Sequence, residues 1–224
     1  LLPRQLDKHA SQHLQKRIEA QDLRVLLNVQ TEAILGAGCV EKVLLSDGRE
    51  LPADLVVISA GVRPNLDFAR SAGVKTNRGV LVDSAMRTSV ENILAVGDLC
   101  ECNGYVYGQW IPANAQGKIA GLTAVGKEAA FEDWSPAALL KVMGFNLFSL
   151  GKITPSEPDE FVIADERDGN YYSFLLGQGK ILGAILIGDT KLSRDIKLSL
   201  ESKRDYSNML SADTSLDTLL ALLA

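Results

Sequence analysis

At 224 residues with a formal charge of −5, the chain is long enough for a sizeable core and parts of two or three domains. Its sign argues against a partner held by phosphate neutralisation. Apolar residues at 46% and charged ones at 23% describe an ordinary soluble composition, and no apolar run reaches the roughly 18–20 residues of a membrane helix. Three cysteines form no even disulfide framework, which fits a reducing compartment and makes the cytoplasm the expected location.

In chain order, Asp7 to Ala20 reads as an amphipathic helix with Leu6, Leu14 and Ile18 as its apolar positions. Leu23 to Leu27 follows as a strand. Thr31 to Leu51 reads as antiparallel, with Asp47-Gly48 as the hairpin turn. Leu55 to Ser59 is nearly all apolar, as in a strand covered on both faces, and runs into a glycine turn at Gly61. Leu66 to Ala72 predicts a short helix closed by Gly73. Gly79 to Asp83 then enters a second domain.

Thr88 to Asp98 carries the strongest chemical signal. It reads as a polar start, a short buried strand and a Gly-Asp pair at that strand's C-terminal end, where open α/β sheets place ligands. Gly97 lets backbone approach a ligand closely, and Asp98 offers a carboxylate to a sugar or ribitol hydroxyl. Taken alone, Asp98 is more often a turn former or helix cap. The matching junction at Gly61 favours a nucleotide-cofactor protein over a binding module. Ile111 to Val125 predicts a helix with Pro112 in its first turn and Ala115, Ile119, Ala120 and Leu122 available for packing. The Trp110-Ile111-Pro112 start would aim free N–H groups and the positive end of the helix dipole at a ligand, with an aromatic plug as the plain alternative.

From about Pro136 the pattern changes to short strands, Phe145–Leu150, Glu160–Ala164, Tyr171–Leu176 and Lys180–Ile187. Asp168-Gly169-Asn170 and Gly177-Gln178-Gly179 punctuate the last three as a meander. Helices from Lys191 to Leu200 and from Leu216 to Leu223 complete a small α+β domain.

Two segments carry a family resemblance. Ser59-Ala60-Gly61-Val62-Arg63-Pro64-Asn65 resembles an (S/T)-x-G-x-x-P-N motif, and Thr88 to Asp98 resembles T-x-x-x-x-I-x-A-x-G-D. Both belong to the FAD-dependent pyridine nucleotide-disulfide oxidoreductases of the glutathione-reductase fold. Leu2-Pro3-Arg4-Gln5-Leu6-Asp7 and Leu45-Ser46-Asp47-Gly48-Arg49 resemble the branch of the NADH:rubredoxin oxidoreductases and the flavoprotein part of NAD(P)H nitrite reductases. The segments Leu139–Leu150 and Gly183–Lys191 lean toward the rubredoxin-reductase side. The likeness is strong over residues 1–125 and looser beyond.

The resemblance implies an α/β fold, a partial pair of Rossmann-like dinucleotide-binding domains followed by a C-terminal α+β domain. Residues 1–78 would be the later half of the NAD(P) domain, 79–135 the returning segment of the FAD domain, and 136–224 a domain for dimerisation or for docking an electron acceptor. It implies FAD and NAD(P)H as cofactors. Asp98, following Gly97, would bond the ribitol of FAD. Trp110, Ile111 and Pro112 would border the flavin pyrimidine edge, and Gly61 and Val62 the nicotinamide. No G-x-G-x-x-G occurs in the chain, so the reading is of the C-terminal part of a longer flavoprotein. An N-terminal portion or partner chain would supply those loops.

No Ser/His/Asp nucleophile constellation is present, as expected where the chemistry belongs to a flavin, and no residue is assigned as catalytic. Cys100 and Cys102 are too close in sequence for an easy disulfide and read as structural. His9 and His13, four apart on one helix without a third ligand, read as a solvated face rather than a metal site. Lys191, Arg194 and Lys197 form a basic flank that is usually only solvated, but onto which an acidic protein such as rubredoxin could be steered. The function expected is an FAD-dependent NAD(P)H oxidoreductase feeding a rubredoxin-like acceptor. The flavoprotein part of a nitrite reductase, and a non-catalytic assembly subunit that kept the fold, stay open beside it.

Overall fold

The computed structural model describes residues 1–132, 137–211 and 213–223, with Val142 by its backbone alone. The expected boundary at 135–136 lies outside them. In chain order the elements are α1 Lys8–Glu19, β1 Thr31–Leu35, β2 Lys42–Leu45, β3 Glu50–Pro52, α2 Asp67–Ser71, β4 Val80–Val82, β5 Cys100–Cys102 and α3 Trp110–Ala124. They continue with β6 Ala138–Val142, β7 Phe145–Gly151, β8 Phe161–Arg167, β9 Asn170–Gly177, β10 Lys180–Ile187, α4 Ser193–Glu201 and α5 Leu216–Leu223. The chain forms two compact units, Leu1–Val56 with Ser135–Ala224, and Val57–Trp134.

In the first unit, β6-β7-β10-β9-β8 form one antiparallel sheet. Three of its hairpins turn on pairs of positive-φ residues, Met143-Gly144, Asp168-Gly169 and Gln178-Gly179, the backbone that matches the right-handed twist of the strands. The central strands of the sheet are buried on both faces, which is why β10 reads as a nearly continuous apolar run. Phe148, Phe174, Ala184 and Leu186 meet Ile196 of α4 and Leu219 and Leu223 of α5. Leu147, Tyr171, Ile185 and Ile187, on the opposite pleats, take Leu6, Ala10 and Leu14 from α1 and its lead-in. Asp7 caps α1 by accepting from the Ala10 amide at 2.8 Å.

That packing corrects the reading of His13. Its face is not solvated: His13 is 6% exposed, its Nδ1 lies 3.1 Å from Glu166 Oε2 of β8, and its ring lies against Tyr171. The cause is a sheet more than a hundred residues away. His9 is exposed, so the two imidazoles do not act as a pair. The basic flank is partly neutralised, with Lys191 3.4 Å from Asp189 and Lys197 3.7 Å from Glu201.

The β1-β2-β3 meander turns at Asp47-Gly48 as expected, with Gly48 at φ +84 and Asp47 accepting from the Arg49 amide. Two expected strands do not form. Leu23–Leu27 is irregular, with Leu23 and Leu27 both exposed, and Leu55–Ser59 is irregular with Leu55 and Ile58 exposed. An apolar run becomes a strand only beside another strand, and none of the described strands pairs with either.

In the second unit, α2 closes as the sequence suggests. Gly73 at φ +73 donates to the Arg70 carbonyl and Val74 donates to that of Ala69, which satisfies the last carbonyls of the helix. Leu66, Ala69, Val74 and Val80 form a small core joined by Val90, Ala95 and Leu99. β4 and β5 pair in parallel. A third expected strand also fails: Ile93–Val96 is irregular and half exposed, with an isolated bridge between Arg87 and Leu94. Gly97–Leu99 therefore forms a 3-10 turn entering β5, rather than the exit of a buried strand.

Candidate functional site

The turn at Gly97 is built against α3. Gly97 sits at φ +74, a left-handed conformation that a side chain would strain, and a Cβ there would reach Ala113 Cβ at 3.6 Å. Its amide donates to Gln116 Oε1 at 2.8 Å, and the Cys100 thiol donates to the same oxygen at 3.3 Å. Asp98, held between those two anchors, keeps its carboxylate exposed.

The N-terminus of α3 lies on the same structure. Its first intrahelical bond runs from the Ala113 amide to the Gln109 carbonyl at 3.2 Å, and Gln109 makes no side-chain cap. Pro112 has no N–H, so Trp110 and Ile111 are the amide donors of the first turn. Pro112 is buried, whereas Trp110 is 82% exposed and Ile111 lies open beside it. Together with Asn114, Ala115 and Lys118 they line an open depression of about 320 Å³. An exposed indole, helix-start amide donors, a carboxylate acceptor and a Cβ-free backbone form a set of groups suited to the ribitol and ring edge of a flavin nucleotide.

Gly61 adopts φ +81, the left-handed turn expected of it, and Val62 is 89% exposed. Asn65 Oδ1 accepts from the Asp67 amide at 3.3 Å just before the next helix. Leu66 and Ala69, beyond this junction, share a core with Ala95 and Leu99, but Gly61 and Val62 are not part of it.

Two buried polar residues support the site without any motif marking them. Gln116 sits 1% exposed in an Ala-rich helix, and its only sequence signal is a polar side chain on a packing face. Glu101 of β5, 3% exposed, accepts from the amides of Arg78 and Gly79 and from Asn77 Nδ2, with the Arg78 guanidinium 3.6 Å away. Burial alone would raise its carboxyl, but these donors outweigh it and hold the group below its ordinary 4.5. Cys100 is affected in the opposite sense: burial, with Cys102 beside it, pushes its thiol up to about 11. Cys100 and Cys102 are both fully buried, as a structural role requires. Among the described residues no three His, Cys, Asp or Glu side chains gather as metal ligands would, and no helix is long and apolar enough to cross a membrane.

Residues 1–117 match the family described as pyridine nucleotide-disulphide oxidoreductase. The chain belongs to this family. Residues 136–204 match a second description, the rubredoxin NAD+ reductase C-terminal domain. The assimilatory nitrate reductase electron transfer subunit of Bacillus subtilis is 39% identical over 92% of this chain and 27% of its own length. The NADH-rubredoxin oxidoreductase of Clostridium acetobutylicum is 31% identical over 97% of this chain and 54% of its own. The crystal structure of NADH:rubredoxin oxidoreductase from the same organism superposes with a TM-score of 0.71 and 28% identity, over 99% of this chain and 54% of that one. The chain thus spans between about a quarter and about half the length of these relatives. Members of the pyridine nucleotide-disulphide oxidoreductase family use FAD and NAD(P)H.

Proposed function

We propose that the chain supplies the ribitol-binding and acceptor-facing parts of an FAD-dependent NAD(P)H oxidoreductase that passes electrons to a small redox protein of the rubredoxin type. The observation that carries this is the Gly97-Asp98 turn seated on the uncapped start of α3, in a member of this flavoprotein family. When bound, FAD accepts a hydride equivalent and releases electrons singly or in pairs. Asp98 accepts hydrogen bonds from ribitol hydroxyls. The Trp110 and Ile111 amides and the α3 dipole stabilise negative charge at the ring edge, and the indole shields that edge from water. Gly61 and Val62 leave room for a nicotinamide to approach.

In this reading residues 1–78 and 79–135 complete NAD(P)- and FAD-binding domains, and 136–224 contacts the acceptor or a second copy of the chain. The match of residues 136–204 to a rubredoxin-reductase domain supports the last assignment. The G-x-G-x-x-G loops come from an N-terminal portion or a partner chain. The exposed Leu55, Val57 and Ile58, an apolar run that no described strand pairs with, support an additional strand there.

The test is FAD binding by the protein of native length. Asp98→Ala is expected to weaken FAD roughly tenfold or more, the worth of one or two hydrogen bonds to a charged acceptor. Flavin fluorescence titration reads the change, and unchanged affinity removes Asp98 from the role. The 39% identity to a nitrate reductase electron transfer subunit favours a second reading, delivery of electrons to a nitrogen-oxide reductase. Rates of NADH-driven reduction of rubredoxin and of such a reductase separate the two.

A further inference from the structure

We propose that Gln116 is the positioning residue of the cofactor turn: its side-chain oxygen fixes Gly97–Leu99 on α3 and so sets the direction of the Asp98 carboxylate. The inference rests on the FAD reading of Asp98 given above.

The turn has little of its own to hold it. Val96, which precedes it, is extended and provides no side-chain cap, and Gly97 is left-handed, a conformation with few steric restraints for glycine. Gln116 supplies what is missing from another element. Its Oε1 receives the Gly97 amide at 2.8 Å and the Cys100 thiol at 3.3 Å, so it grips the residue before Asp98 and the residue two beyond it. Ala113, one helical turn earlier on the same face, provides the steric floor under Gly97. The elevated Cys100 thiol stays protonated at physiological pH and remains a donor.

Gln116 is a poor choice for stability alone. It is 1% exposed, and its Nε2 has no hydrogen-bond partner among the described residues. A buried donor without an acceptor is destabilising, and a leucine would fill similar space without one. What leucine cannot do is accept from Gly97. The value of the side chain therefore lies in the turn it aims.

The experiment compares Gln116→Leu, Gln116→Glu and Asp98→Ala in the protein of native length, reading FAD affinity, the visible flavin spectrum and apoprotein melting. Gln116→Leu is expected to weaken FAD roughly tenfold and shift the flavin bands, the effect of one lost anchoring hydrogen bond, while apoprotein melting holds or rises. Gln116→Glu keeps an acceptor at the same atom and is expected to restore most of the affinity. A purely structural role would instead lower melting and affinity together and gain nothing from Glu, which overturns the proposal. FAD affinity unchanged in Gln116→Leu but lost in Asp98→Ala overturns the role of Gln116 alone. Affinity unchanged in both overturns the FAD reading itself. Should Gln116→Leu not fold, amide hydrogen exchange on the unsubstituted protein decides: a protected Gly97 amide supports the proposal, and one exchanging as fast as the exposed Gly61 loop overturns it.

Discussion

Glu101 and Cys100, two residues on one short strand, show how strongly surroundings act on titration. The Glu101 carboxyl is held below 4.5 by donors from Asn77 to Gly79, so its stabilisation is complete above that pH and disappears as the pH falls through the folded-state value. Glu101→Gln is expected to cost about 2 kcal/mol at neutral pH, the worth of hydrogen bonds to a charged acceptor. That deficit should shrink in acid, and urea melts at neutral pH and near pH 3 check both the size and the trend. Cys100 behaves in reverse. Its thiol is raised from 9.0 to about 11, so its contribution is present below pH 9 and lost as the pH climbs through 11. Cys39 is exposed, whereas Cys100 and Cys102 are fully buried. A thiol reagent at neutral pH should therefore label one fast equivalent natively and three in denaturant. Fast labelling of Cys100 would contradict its burial.

At the scale of elements, α1 illustrates an amphipathic helix whose apolar stripe was legible but whose target was not. Leu6, Leu14 and Ile18 pointed to a buried face, and all three join the core against β7, β9 and β10. Leu14→Ala is expected to destabilise by about 2–5 kcal/mol, the usual cost of a large-to-small change at a fully buried site. Chemical denaturation checks it, and a loss under about 1 kcal/mol would mean that α1 docks loosely on the sheet. The turns at Asp168-Gly169, Gln178-Gly179 and Asp47-Gly48 were legible from their glycines, which sit at positive φ, whereas β6 and its Met143-Gly144 turn were not expected. Strands predicted from apolar runs alone fared worse. Leu23–Leu27, Leu55–Ser59 and Ile93–Val96 contain the right residues, but pairing is a property of two segments, and none of these pairs with a described strand beyond the isolated Arg87–Leu94 bridge.

At the scale of the whole molecule, two groups of exposed apolar residues adjoin in sequence. Leu55, Val57 and Ile58 follow one another closely in sequence, and Trp110 and Ile111 adjoin at the start of α3. Contiguous exposed apolar surface marks interaction sites. The chain on its own is expected to bind an apolar dye such as ANS. If the G-x-G-x-x-G loops come from an N-terminal portion or a partner chain, as proposed above, that polypeptide added in trans with FAD should suppress the binding. Dye binding that persists in the reconstituted complex would argue that these residues serve some other contact.

The sequence by itself determined the family, the cofactor class, the turns and helix ends, and the candidate residues Gly61, Gly97, Asp98 and Trp110 to Pro112. The family and the cofactor class rest on the resemblance of short motifs, and the turns, helix ends and candidate residues on chemistry confined to a few neighbours: a glycine where φ must be positive, a proline in a first helical turn, a carboxylate after a turn. The tertiary structure decided that His13 is buried against Glu166, that three apolar runs stay irregular, and that Gln116 grips the turn beneath Asp98. Those outcomes depend on which distant segment arrives as a neighbour. Hydrogen bonding and burial are set by that arrival, and no local window of sequence contains it.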